Sequence, residues 1–279
     1  MTEEIPDRIE TIDLLSRQWQ AVTALVADLD EDGWRTPTAL PGWTVFDVVA
    51  HMIGTESWLL GEKPPAREPG SDETDVRALP HVRNETAVLN EIWVDRLRPL
   101  SGAELLEMFG RITDRRLTML GKMDDAVWKT PTPSPIGQVS YGRFMRVRLF
   151  DCWMHELDIA DAIGKTIDEG GPRGEQAFAE FAASLPRVLA KRGKAPDGSR
   201  ITLDLTGPLA RTLHIAVDGR AAYADTFDDP CTVAIRLDSG LLVRLGGGRT
   251  TAEEHADDIT VTGDEELGLR LVRNLAFTI

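Results

Sequence analysis

The sequence predicts an α+β protein of two domains, a helical bundle followed by a smaller domain of strands and helices. Apolar residues recur at helical spacing in long segments of the first part, whereas short alternating segments typical of strands are confined to the second. A Gly-Gly-Pro sequence starting at Gly170 separates the part with helical periodicity from the part with alternating segments. We therefore expect a four-helix bundle over residues 1–168 and a small α+β domain over residues 169–279.

Helical periodicity and capping signals define the elements of the first domain. Thr44 with Asp47, and Ser101 with Glu104, have the capping-box spacing that is typical of helix starts. Proline, glycine and acidic residues mark the loops between the periodic segments. The predicted helices are 7–29, 45–60, 85–98, 101–120 and 141–163, and the predicted loops include 61–80 and 129–140.

A short internal repeat links the two halves of this domain. Residues 30–38, D-E-D-G-W-R-T-P-T, resemble residues 124–132, D-D-A-V-W-K-T-P-T. Each copy leads through a loop into a helix that carries candidate ligands. The repeat predicts that these two helices occupy mirrored positions in the bundle.

The second domain alternates short strands with helices. The Asp218-Gly219 pair between two alternating segments is a strong hairpin signal. Strands followed by helices are typical of a small α+β fold. The predicted strands are 201–206, 212–217, 221–225, 232–237 and 259–262, and the predicted helices are 173–192, 239–246 and 264–276.

Charge and composition restrict the partners. The net charge is −15, and both domains are acidic, so nucleic acid and anionic membranes are disfavoured. The chain lacks the roughly 18-residue apolar segment that spans a bilayer, and its acidic start does not resemble a signal peptide. The two cysteines, Cys152 and Cys231, fall in different predicted domains, which favours free thiols and a cytoplasmic location. The sequence does not determine the oligomeric state.

Three residues on two predicted helices are candidate metal ligands. Asp151 and His155 are four residues apart, so they share one face of a helix, and His51 lies on a separate helix. Three such ligands leave at least one open coordination position, as in catalytic metal sites. The alternative is a histidine of the core and a hydrogen-bonded Asp–His pair, or Asp151 paired with Arg148.

Two further residues share the face of this pair. Arg148 is predicted either to bind a substrate carboxylate bidentately or to form a salt bridge with Asp151. Asp158 is either an acceptor for His155 or a solvated charge at the helix end. Trp58 is expected in the bundle core.

Two segments resemble a known family. Residues 41–51, P-G-W-T-V-F-D-V-V-A-H, and 148–164, R-L-F-D-C-W-M-H-E-L-D-I-A-D-A-I-G, resemble the mycothiol-dependent maleylpyruvate isomerase family. That family belongs to a DinB-like superfamily of metal-binding bundles. The resemblance implies a DinB-like four-helix bundle and a C-terminal domain similar to sterol carrier proteins.

The resemblance also implies a site. His51, Asp151 and His155 would bind a divalent metal, usually zinc, although glutamate often replaces Asp151 in the isomerases. An arginine of the C-terminal domain reaches the active site in the family, and Arg249 best matches it. Arg249 and Arg148 would then hold substrate carboxylates or a developing enolate.

The implied chemistry uses mycothiol as cofactor. A metal with an open position lowers the pKa of a bound thiol from about 8.5. The thiolate either adds reversibly to a conjugated double bond, which isomerises, or stays attached to a small electrophile. Three alternatives remain: a metal-dependent hydrolase with Glu56 or Asp158 as general base, a carrier of apolar ligands, and a non-catalytic metal-binding protein.

Overall fold

The structure is a computed structural model that describes residues 5–66, 74–227 and 230–278. The chain divides into two compact units, Met1–Ile167 and Asp168–Ile279. The first unit is mainly helical, and the second combines helices with a five-stranded sheet. The predicted α+β class, with a helical bundle before an α+β domain, is confirmed.

Four long helices form the bundle of the first unit. Helix α1 packs against α5 and α7, and α3 packs against α5 and α7, while α4 lies against α3. Their apolar faces form one continuous core that contains Trp19, Phe46 and Phe109. The elements are α1 (Arg8–Val26), α2 (Glu31–Trp34), α3 (Val45–Leu59), α4 (Glu85–Leu97), α5 (Gly102–Gly121), α6 (Asp125–Trp128), β1 (Pro131–Ser134), β2 (Gly137–Ser140) and α7 (Tyr141–Ala162).

Both predicted capping boxes are present. The backbone N–H of Asp47 donates to the Thr44 hydroxyl, and the backbone N–H of Thr44 donates to the Asp47 carboxylate. Ser101 and Glu104 make the same reciprocal pair. These bonds satisfy N–H groups that a helix start leaves unpaired, so they fix where α3 and α5 begin.

The internal repeat is confirmed as a structural repeat. Each copy forms a one-turn helix, α2 or α6, with a buried tryptophan at its end. The backbone N–H of Val45 then donates to Thr36, and that of Tyr141 donates to Thr130, both at 3.0 Å. These equivalent bonds lead directly into α3 and α7, the two helices with candidate ligands.

Two predictions for the connecting segments are wrong in detail. Residues 129–140, predicted as a loop, contain the antiparallel hairpin of β1 and β2. Gly137 has a φ of 104°, a conformation open to glycine, and this allows the tight turn despite the prolines. In the predicted loop 61–80, residues 76–78 form a 3-10 turn, and residues 67–73 lie outside the described residues.

The second unit is built around a mixed sheet. Its strand order is β5-β4-β3-β6-β7, with β3 and β6 parallel and the other neighbours antiparallel. The predicted hairpin joins β4 and β5 at Gly219, whose φ is 65°. The elements are α8 (Gly171–Ala182), α9 (Leu185–Lys191), β3 (Arg200–Thr206), β4 (Arg211–Asp218), β5 (Arg220–Ala224), β6 (Val233–Asp238), α10 (Ser239–Gly246), β7 (Thr260–Gly263) and α11 (Glu265–Arg273).

The helix predicted over residues 173–192 is two helices. It breaks between α8 and α9, where Pro186 lies in the first turn of α9. Proline has no N–H to continue an α-helix but fits a first turn, so the chain starts a new helix there. Within the described ranges, no helix is both long and apolar enough to cross a membrane.

Candidate metal centre

Two helices of the bundle bring the three candidate ligands together. The Nε2 atoms of His51 on α3 and His155 on α7 lie 3.5 and 3.7 Å from Oδ2 of Asp151. One donor atom from each residue lies within 4.8 Å of the others. Ligand atoms about 2 Å from a tetrahedral ion are about 3.3 Å apart. The spacing therefore fits one divalent cation after small side-chain adjustments.

Local sequence explains why these side chains converge. Asp151 and His155 are one turn apart on α7, as their spacing predicts. His51 is seven residues beyond the Thr44 cap, so it lies two turns into α3. Because α3 packs directly against α7, its inward face meets the Asp151 face.

Burial and charge favour a cation at this position. His51 and His155 are only 5% and 6% exposed, whereas the side chain of Asp151 is 34% exposed and marks the open side. Burial lowers the pKa of His51, which keeps the ring neutral and able to bind a metal. Burial opposes ionisation of Asp151, but the charge of Arg148, followed by the contacts with His155 and His51, holds its pKa well below the usual value. Two imidazoles and one carboxylate form a donor set that suits zinc.

Asp158 orients one of the ligands. Its Oδ2 lies 3.0 Å from Nδ1 of His155, and the residue is 2% exposed. This is the acceptor role considered from the sequence, and not a solvated helix end. A carboxylate on Nδ1 fixes the tautomer that leaves Nε2 as the metal-binding atom.

Arg148 adopts the salt-bridge alternative considered from the sequence. Its Nη1 donates to Oδ2 of Asp151 at 2.5 Å, and its Nε and Nη2 donate to Oε1 of Glu56. The residue is 4% exposed. Arg148 therefore belongs to the site, but its guanidinium is directed to protein carboxylates.

Trp43 is a part of the site that sequence reasoning missed. Its ring centroid is 5.2 Å from that of His51 and 6.5 Å from that of His155. Its Nε1 donates to Oε2 of the buried Glu91 at 2.8 Å. The signal was its place in the P-G-W segment just before α3. Trp58, predicted in the core, is instead 44% exposed.

The histidines outside the candidate site contact other protein groups. His81 lies 3.0 Å from Oε2 of Glu91, which also pairs with Arg98. His255 pairs with Asp258 and is not part of a cluster with metal-ligand spacing among the described residues. These contacts are between protein groups and indicate structural roles.

Comparison with known proteins identifies the family. The model of the mycothiol maleylpyruvate isomerase N-terminal domain matches residues 15–160, and that of the family's C-terminal domain matches residues 175–270. The chain belongs to the mycothiol maleylpyruvate isomerase family. Two uncharacterized proteins of Mycobacterium tuberculosis are each 30% identical to it over 149 residues. The match covers 50% of this chain. The chain spans about half, 51%, of the length of these curated relatives.

Solved structures of the isomerase family share the fold. The crystal structure of the mycothiol-dependent maleylpyruvate isomerase superposes with a TM-score of 0.61 at 17% identity, covering 92% of this chain and 93% of the other. A point mutant of that enzyme gives 0.58 at 16% identity, with the same coverage. Both the bundle and the α+β unit thus have the architecture of the isomerase family.

Arg249, the arginine that the isomerase family predicts from the C-terminal domain, follows α10. Its backbone N–H donates to Arg244, and its Nη1 donates to the carbonyl of Gly247. Gly248, just before it, has a φ of 68°, which turns the chain at the end of the helix. Its role toward a substrate stays a prediction.

The cysteines of this family member do not form a disulfide. Cys152 and Cys231 are both free thiols. Burial raises the pKa of Cys152 to about 12, so its thiol stays protonated at neutral pH. Cys152 therefore does not supply a nucleophilic thiolate.

Proposed function

We propose that this chain is a metal-dependent enzyme that activates the thiol of mycothiol for isomerisation of, or transfer to, a small electrophile. The observation that carries the proposal is the cluster of His51, Asp151 and His155, with donor atoms within 4.8 Å of one another. Family membership supports the thiol, since the solved structures of similar fold are mycothiol-dependent maleylpyruvate isomerases. Maleylpyruvate is accordingly the first substrate to test.

Each residue of the centre has a separate task in this proposal. A divalent metal, zinc by preference, supplies a Lewis acid that lowers the pKa of a thiol at its open position. His51 and His155 bind through Nε2, and Asp151 contributes the anionic donor. Trp43 covers one side of both imidazoles, which limits the approach of water from that side.

A substrate carboxylate or enolate would be bound by a cationic side chain. We assign Arg249 to a substrate carboxylate or enolate, following the family pattern. Arg148 already donates to Glu56 and Asp151, so we assign it to the metal ligand and not to substrate. A cytoplasmic location fits the two free thiols and a reduced thiol cofactor.

The hydrolase alternative is not favoured by Glu56 and Asp158, the two carboxylates considered as its general base. Both oxygens of Glu56 accept from arginines, and Asp158 is bonded to His155. A carboxylate acts as general base only where it reaches a water on the metal, and both of these carboxylates are engaged by other protein groups. The carrier alternative predicts function without metal. Measuring the metal content of the purified protein therefore tests this alternative too.

The first experiment measures metal in purified protein beside two histidine variants. We expect about one zinc per chain in the wild type and none in His155→Ala. His255→Ala is the matched control, because His255 also bonds an aspartate three residues on but lies outside the cluster. Equal metal in all three proteins, or none in the wild type, would exclude the proposed centre.

The second experiment separates the reactions. Zinc-loaded protein is incubated with maleylpyruvate or another small electrophile, with and without mycothiol. The products are separated by liquid chromatography, which resolves isomers of equal mass, and are then identified by mass spectrometry. An isomer formed with mycothiol recovered unchanged indicates isomerisation, whereas a thioether adduct indicates transfer. Turnover at the same rate without mycothiol would refute thiol activation and favour the hydrolase.

A further inference from the structure

The carboxylate of Glu56 is fully buried between two arginines. Its Oε1 accepts from Nε and Nη2 of Arg148 at 3.0 and 2.9 Å. Its Oε2 accepts from Nε of Arg116 at 2.7 Å. Both Glu56 and Arg116 are 0% exposed, so neither contacts solvent. Glu56 therefore acts on its protein neighbours and not on a bound molecule.

Arg116 is held in turn from its other side. Its Nη1 lies 3.2 Å from both the Tyr141 hydroxyl and Sδ of Met119, and its Nη2 lies 3.3 Å from Sδ of Met145. These contacts join α5 to the start of α7. Because these contacts fix its planar guanidinium, the hydrogen bond from Arg116 also fixes the orientation of the Glu56 carboxylate.

The buried cluster ends on a candidate metal ligand. Nη1 of Arg148 donates to Oδ2 of Asp151 at 2.5 Å. The same oxygen lies 3.5 Å from Nε2 of His51 and 3.7 Å from Nε2 of His155. One run of charged hydrogen bonds thus leads from Arg116 through Glu56 and Arg148 to the oxygen at the centre of the site.

We propose that Glu56 is a positioning residue that acts through Arg148 to fix the side chain of Asp151 for metal binding. The inference rests on the proposed function, since it takes Asp151 as a ligand. Glu56 holds two N–H groups of Arg148 and leaves Nη1 for Asp151. Without Glu56, the guanidinium is free to turn, and its full positive charge opposes a cation at Asp151.

The charges of this buried cluster balance, which indicates a role other than packing. Glu56 and Asp151 carry two negative charges, and Arg116 and Arg148 carry two positive charges, so the four cancel. A buried ion cluster seldom adds stability over apolar side chains of the same volume. A neutral support leaves the charge of the metal to act on an anionic thiol and substrate. Groups behind metal ligands typically change affinity by about 10–100-fold when altered.

The test measures metal affinity and coordination in Glu56→Gln. Zinc affinity is measured by competition with a chelating dye, and cobalt(II) absorption reports the coordination geometry. We expect zinc to bind about 10–100-fold more weakly and the cobalt spectrum to change, because Asp151 is no longer fixed. Glu156→Gln is the matched control. Glu156 is also a buried carboxylate of this unit, but its Oε2 accepts from Gln18 on α1.

A double-mutant cycle tells positioning from general destabilisation. If Glu56 acts mainly through Asp151, adding Glu56→Gln to Asp151→Asn lowers zinc affinity by much less than Glu56→Gln does in the wild-type background, since the path is already broken. A further loss as large as in the wild-type background would overturn the inference. Thermal unfolding of the metal-free proteins runs in parallel and reports folding alone.

A second variant protects the test against misfolding. Arg148→Lys keeps one charge but cannot bridge Glu56 and Asp151 as a planar fork does, so zinc affinity should fall by a similar factor. Wild-type affinity and cobalt spectra in a folded Glu56→Gln or Arg148→Lys would overturn the positioning role and leave the proposed function intact. Failure of the wild type to bind zinc or cobalt would overturn both.

Discussion

The indole N–H of Trp43 donates a 2.8 Å hydrogen bond to Oε2 of Glu91, a carboxylate that is fully buried. The bond fixes the ring that lies against His51 and His155. It ties the loop before α3 to α4, 48 residues further along the chain.

We predict that Trp43→Phe destabilises the protein by about 2–3 kcal/mol, because it removes a donor to a buried charge. The matched control is Trp58→Phe, at a position that is 44% exposed, where the change should stay within about 0.5 kcal/mol. The measurement is urea unfolding followed by circular dichroism. Equal losses in the two variants would show that the Trp43–Glu91 bond contributes little.

Asp158→Ala should weaken zinc binding by about 10–100-fold, because Nδ1 of His155 loses the carboxylate that fixes its tautomer. Asp161→Ala, at an exposed position three residues further along α7, is the control. Zinc competition titrations measure both. An unchanged affinity in Asp158→Ala would mean that helix packing alone orients His155.

Cys152 should resist alkylation in the folded protein. With a pKa of about 12, its thiolate fraction at pH 8 is on the order of 1 in 10,000, and the side chain is buried. We expect iodoacetamide to label Cys231 first, and both cysteines only after unfolding, as read by peptide mass spectrometry. Rapid native labelling of Cys152 would contradict this, and would return it as a candidate nucleophile.

Two glycines that pack against the tryptophans of the repeat, Trp34 and Trp128, should not tolerate alanine. A Cβ on Gly102 would lie 2.1 Å from the Trp34 ring, and one on Gly142 would lie 2.2 Å from the Trp128 ring. We expect each alanine variant to lose about 1–3 kcal/mol through overpacking.

Gly110 provides the control for these variants, since a Cβ there meets nothing within 4 Å although it lies in α5 like Gly102. Gly110→Ala should add up to about 1 kcal/mol through helix propensity. Thermal unfolding measures all three. A stabilised Gly102→Ala would mean that the Trp34 ring moves aside without cost.

Much of the candidate site could be predicted because its signals are local. The spacing of Asp151 and His155 determines that they share a helix face, and the Thr44–Asp47 box determines where the helix of His51 begins. The prolines of residues 129–140 led to a predicted loop where a glycine turn allows the β1–β2 hairpin. Pro186 lies inside one long predicted helix, whereas the chain starts a second helix there. In these cases the outcome depended on backbone geometry that residue type alone does not specify.

The sequence by itself determined the helix starts, the Asp218-Gly219 hairpin and the helix face that Asp151 and His155 share, because these follow from contacts within a few residues. Only the tertiary structure decided that Arg148 turns to Glu56, 92 residues away, and that Trp43 reaches Glu91. Such pairs depend on which helix faces pack together, and any of several buried carboxylates has the chemistry to accept from either donor. Packing selects one partner for each donor, and that selection places hydrogen-bonded support behind three candidate ligands at the right spacing.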